Sequence, residues 1–273
     1  MMERMIARVK LLSLFLCVSV SLLSAQVPND QIPKALRPDA LRSRKGFQWK
    51  VDHSANYDYY YEPSSPAERD IVKIKRIMER ERAHILALLG TEQADFRTQA
   101  FIVDSQSRMK ELSHQDIDGW AIGTVFAFVY GDTIQALGAH EETHLLSQRL
   151  WGTTPAQWLN EGLAVYSDDN WQGHPLHAVC KQLRTQGKLI PLSSLVNDHK
   201  WAASYQTSVT YPEVGSFVKF LYERYSMNAV KTVWQQGANK IPDAFGKSLP
   251  QLEQEWYSTI DASDASSFVY QTP

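Results

Sequence analysis

The most chemically loaded stretch of the chain is His140-Glu141-Glu142-Thr143-His144, two histidines four residues apart with a glutamate directly after the first. On a helix, positions i and i+4 share a face, so both imidazoles can offer a nitrogen to one metal ion. Glu141 lies about 100° around the helix from His140. From there its carboxylate can reach a water on that ion without ligating it. The chemistry this permits is metal-assisted hydrolysis, in which the water's pKa falls to roughly 7 and the carboxylate takes its proton. Two histidines are one protein ligand short of such a site, which needs three and an open position.

Spacing tests the candidates for the third ligand. A metzincin would carry Gly three residues after His144 and His six after it; the chain has Ser147 and Leu150, which excludes that subclass. A gluzincin takes a Glu from a following helix, and Trp158-Leu159-Asn160-Glu161-Gly162-Leu163-Ala164 supplies one. The 16 residues between His144 and Glu161 let the first helix finish, turn at Gly152 to Pro155 and return. Glu142 reads as a polar neighbour, since the base belongs at the second position of the motif.

Together these segments resemble the gluzincin branch of the zinc metallopeptidases, and most closely the short exported peptidase MA-like proteins of bacteria. The resemblance runs from about Phe47 to the last helices and takes in Tyr211-Pro-Glu-Val-Gly-Ser-Phe-Val-Lys-Phe-Leu221. It implies a zincin-like fold and one Zn2+ per chain on His140, His144 and Glu161, with Glu141 as catalytic base. The substrate it implies is a peptide or protein. An oxyanion donor in this clan is a Tyr or His; Tyr211 is the first candidate, followed by Tyr205, His174 and His177. Two departures are informative. No G-x-M-E-N segment for gripping a free amine precedes the motif, so aminopeptidase activity is not implied and an endopeptidase is slightly favoured. Where thermolysin-like enzymes orient a histidine with an Asp four residues past the ligand Glu, this chain has Val165. Asp168 or Asp169 could stand in, although a solvated loop is the commoner role. Two alternatives remain: a zincin scaffold that binds without turnover, and a zinc amidase acting on cell-envelope fragments.

The elements that must position these residues show in the periodicity. Phe47 to His53 alternates like a half-buried strand, and Asn56 to Glu62, with four tyrosines, reads as its hairpin partner. Ser65-Pro66 opens a long helix with Ile71, Ile74, Met78, Ile85, Leu88 and Leu89 at helical spacing, closed by Gly90. Its charged face from Lys73 to Arg82 reads as solvated. Arg97 to Val103 is a strand, and Trp120 to Tyr130 one or two more. Helices are predicted near 133–150 (with Asp132 and Gln135 as its cap), 155–166, 174–185, 211–225, 228–236 and 249–260. Strands first and helices afterwards predict an α+β fold: a small mixed sheet and the active-site helix in an α/β half, 47–152, then a mainly helical half, 153–273. A substrate would pair with an edge strand near Thr124 to Tyr130.

Composition bounds the rest. With 28 Lys+Arg against 30 Asp+Glu, the formal charge of −2 gives no electrostatic case for nucleic acid or anionic membranes. Arg4, Arg8 and Lys10, the uncharged run from Leu11 and the small residues Ser24 and Ala25 read as a signal peptide over residues 1–25. The expectation is export to the periplasm or beyond, with no stable membrane insertion after cleavage. Residues 26–46, with Pro28, Pro33 and Pro38, read as a linker. Cleavage leaves Cys180 as a lone thiol. His174 and His177 make at most a weak second metal signal.

Overall fold

The computed structural model describes residues 32–197 and 206–272. The fold is α+β with a small mixed sheet. Strand β1 (Lys50–His53) forms an antiparallel hairpin with β2 (Tyr57–Tyr61). Helix α2 (Pro66–Leu88) then crosses over to β3 (Thr98–Val103), which lies parallel to β2. Helix α3 (Gln106–Ser113) leads to β4 (Gly119–Ile122) and β5 (Val125–Val129); β5 pairs parallel to β3 and antiparallel to β4. The order is β1-β2-β3-β5-β4. Strand β5 is therefore interior, which explains its unbroken apolar run, and the edge on its side of the sheet is β4. The edge expected near Thr124 to Tyr130 moves accordingly to Gly119–Ile122.

Both sheet faces are covered. On one, Tyr57, Tyr59, Ile102 and Phe128 pack against Ile74 and Met78 of α2. On the other, Tyr60, Phe101, Trp120 and Val125 meet Met109 and Leu112 of α3, together with Ile32, Leu36 and Leu41. Those last three correct the linker reading. A 3-10 turn at Lys34–Leu36 and helix α1 (Pro38–Arg42) bind this segment to the sheet. Three isolated aliphatic residues suffice to dock a proline-rich arm, and they carry no periodicity to announce it.

Helix α2 begins as predicted, with the Ser65 side chain accepting the Glu68 N–H at 3.2 Å, Pro66 in the first turn and Gly90 just past the end. Its charged face is not wholly solvated. Arg82 is 1% exposed and pairs with Glu142 at 2.7 Å, also donating to Thr98 Oγ1 and the Phe96 carbonyl. The Tyr57 hydroxyl donates to the other oxygen of Glu142. Thus Glu142 is one half of a buried ion pair that joins α2, the sheet and the motif-bearing helix.

That helix, α4 (His140–Trp151), starts seven residues later than its predicted limit. Residues 130–136 extend the sheet instead: Tyr130 bridges Gln135, Gly131 N–H binds the Ile134 carbonyl and Ala136 N–H binds Val129. Their backbone groups are spent on a turn, so Asp132 and Gln135 cap nothing helical. Helix α5 (Gln157–Asp168) returns beside α4 and is followed by a two-residue hairpin, β6 (Asn170–Trp171) and β7 (His174–Pro175). Among the described residues the remaining helices are α6 (Leu176–Thr185), α7 (Leu192–Leu195), α8 (Thr207–Arg224), α9 (Met227–Gln236), α10 (Ile241–Phe245) and α11 (Leu249–Ala262). They share one large core with the ends of α2 and α4. No helix among the described residues is long and apolar enough to cross a membrane; the segment read as a signal peptide lies outside them.

Candidate metal centre

His140 and His144 stand on the first two turns of α4, and α5 brings Glu161 across to them. His140 Nε2 lies 3.3 Å from His144 Nε2, and the two are 3.6 Å and 3.7 Å from Glu161 Oε2. Ligands held at about 2.0–2.2 Å by a tetrahedral zinc stand about 3.3–3.6 Å apart. The donor triangle therefore has the size such an ion requires. His140 and Glu161 are buried, and Glu161 Oε2 has no hydrogen-bond partner although it is fully enclosed. A carboxylate oxygen left unsatisfied and facing two imidazole nitrogens is costly unless a cation joins them. This buried group could hold a metal ion.

The supports of each ligand are in place. Asn160 Oδ1 lies 3.2 Å from His144 Nδ1, which as donor leaves Nε2 as the lone-pair nitrogen facing His140 and Glu161. Gln157, one turn before Glu161, donates to its Oε1 at 3.1 Å. Burial alone would raise the Glu161 pKa; His144, His140 and the Tyr211 hydroxyl outweigh it and hold the carboxyl below its ordinary value. Asp168, the last residue of α5, accepts the Ala139 N–H at 2.7 Å and so caps α4 from another helix. Burial raises its pKa, against the opposing charge of His140 beside it. It serves the site rather than a solvated loop.

Glu141 lies against the edge strand. A Cβ placed on Gly119 would come within 3.2 Å of Glu141 Oε1 and 3.3 Å of its Cγ, so the glycine makes room for the carboxylate. Tyr211 belongs to the second turn of α8, its ring stacked 6.4 Å from His140 and tilted against Trp171 at 5.8 Å. Helices α5 and α8 approach closely because both carry glycine at the crossing. A Cβ on Gly162 would meet the Val214 carbonyl oxygen at 2.8 Å, and one on Gly215 would meet Val165 Cγ1 at 2.4 Å.

The structure thus gathers His140, His144 and Glu161 at one point, with Tyr211 stacked on His140 and the Glu141 carboxylate against Gly119. It takes the other histidines elsewhere: His174 stacks on Phe268 at 3.9 Å, and His177 Nδ1 lies 2.8 Å from Ser216 Oγ. Tyr205 lies outside the described residues. Sequence reasoning passed over Asn160, Gln157 and Gly119. Asn160 and Gln157 were within reach of it, since they sit one and four residues before the ligand on the same helix; Gly119 was not, because only the tertiary fold sets it beside Glu141. The chain matches no protein-family model and no curated protein.

Proposed function

We propose that the protein is an exported zinc-dependent peptidase of the gluzincin type, with a zincin-like fold and peptides or proteins as substrates. The observation that carries the reading is the 3.3–3.7 Å triangle of His140, His144 and Glu161, closed by a buried carboxylate oxygen that has no other partner. Two histidines and a glutamate are a donor set of catalytic zinc sites. When bound there, zinc would acidify a water and polarise the scissile carbonyl.

The chain's own residues do the rest. Glu141, between the ligands and the edge strand, accepts the proton of the attacking water and returns it to the leaving amine. The Tyr211 hydroxyl donates a hydrogen bond to the oxygen that gains charge. Asn160 fixes the ring of His144, and Asp168 fixes the start of α4 under His140. A peptide laid along β4 would pair with a free strand edge and carry its scissile bond past Gly119, where Glu141 waits. Since no amine-gripping segment precedes the motif, cleavage within a chain is favoured.

The test is elemental analysis of residues 26–273 purified without added metal, expected to give close to one zinc per chain. Glu141→Gln should retain that zinc while hydrolysis of a peptide library drops by about 10²–10⁴-fold. No zinc, even when it is offered, would sink the catalytic reading. Zinc without peptide hydrolysis would point to a binding scaffold, and zinc with activity confined to cell-envelope fragments to an amidase.

A further inference from the structure

The segment Ser263 to Thr272 follows α11 without helix or strand, yet it is firmly held along α6. Lys181 donates to the Ser263 carbonyl at 2.6 Å. The Gln182 amide grips the strap at both ends, donating to the carbonyls of Ala265 and Phe268 and accepting the Tyr270 N–H. Gln186 donates to the Tyr270 carbonyl at 2.9 Å.

All this fastening delivers one buried side chain, Tyr270, which is 3% exposed. Its hydroxyl accepts from Trp171 Nε1 at 2.8 Å and donates to the Ser208 carbonyl at 2.7 Å. Ser208 is free to accept for a reason written in the sequence. Four residues on, where a helical N–H should bind that carbonyl, stands Pro212, which has none. Both partners of Tyr270 belong to the wall of the metal centre. Trp171 packs against Tyr211 with its ring tilted 38° and centroids 5.8 Å apart, and Ser208 lies one turn before Tyr211 on α8. Burial pushes the Tyr270 phenol up to about 12, so it keeps the proton it donates.

We infer that Tyr270 is a positioning residue for Tyr211: the strap plugs the carbonyl vacated by Pro212 and clamps Trp171, and so fixes where the Tyr211 hydroxyl stands over the metal ligands. The inference rests on the reading of that centre, and its test separates the two. Tyr270→Phe keeps the ring and loses both hydrogen bonds. In cobalt-loaded protein, acetohydroxamate is titrated by the cobalt absorption bands. Tyr270→Phe is expected to weaken its binding by about tenfold at unchanged cobalt content, and to add nothing in a Tyr211→Phe background. Unchanged affinity, or losses that simply multiply, would overturn the inference. Amide hydrogen exchange of the metal-free protein needs no ion. There Tyr270→Phe should speed exchange in the α8 turn bearing Tyr211 and spare the sheet, and no change in that turn overturns the strap by itself. Wild-type protein that takes up no cobalt would instead overturn the metal centre.

Discussion

Glu213, two residues beyond Tyr211 on α8, is fully buried; one carboxylate oxygen accepts the Ile190 N–H at 2.8 Å and the other has no partner. Burial drives its pKa well above 4.5, and the charged or titratable groups facing it, Glu253, Cys180 and Tyr257, give no relief. The folded chain therefore binds this proton more tightly than the unfolded one. Its contribution is complete below the ordinary carboxylate value and is lost as pH rises towards the folded pKa. Glu213→Gln preserves the bond to Ile190 without that loss. Melting temperatures of the two proteins should converge at and below pH 4.5 and separate progressively as pH rises above it, the variant higher; parallel curves would refute a protonated Glu213. At this scale the sequence shows the donors of the site well, because helical spacing pairs His140 with His144 and the following helix offers Glu161. It offers Asp168 only as one of two stand-ins, and it does not show Arg82 or Tyr270, whose partners are respectively 60 and 62 or 99 residues away. Nothing local distinguishes a buried arginine on a charged helix face from its solvated neighbours.

Helices α5 and α8 cross at Gly162 and Gly215, and this contact decides how near Tyr211 comes to Glu161. Gly162→Ala sets a methyl against the Val214 backbone, which cannot yield as a side-chain tip would. We expect a loss of about 1–3 kcal/mol in denaturant unfolding, with a larger fractional loss of peptidase activity than of zinc content. A stability unchanged within a few tenths of a kcal/mol would mean that the helices separate freely. The glycines of the WLNEGLA and YPEVGSF segments are thus explained by packing, whereas their sequence neighbours are explained by chemistry. Helix positions were legible where an apolar stripe or a Ser-Pro start marks them, as in α2. The beginning of α4 was not, since a hydrogen-bonded turn outcompeted a plausible cap. The short helices α3, α7 and α10 escaped notice because four to eight residues offer too little periodicity.

The molecule as a whole is built around two sheet faces and a helical core, and the arm at Ile32–Leu41 closes one of those faces. Burying Ile32, Leu36 and Leu41 contributes about 1.5–3 kcal/mol each. A chain begun at residue 47 should accordingly melt lower and expose the apolar ground of β4 and β5, seen as increased binding of a hydrophobic dye. The comparison is with a chain begun at residue 32. Equal stability of the two truncations would return the arm to the status of a linker. Finally, the pattern H-E-x-x-H leaves its third position open, but in this fold Glu142 is tied to Arg82 in the dry space between α2 and α4. Losing either partner alone strands a charge at a cost of about 3–5 kcal/mol, while replacing both with apolar residues is nearly neutral. In an evolving lineage the two positions would therefore drift as a pair, each recording the other's history across sixty residues of chain.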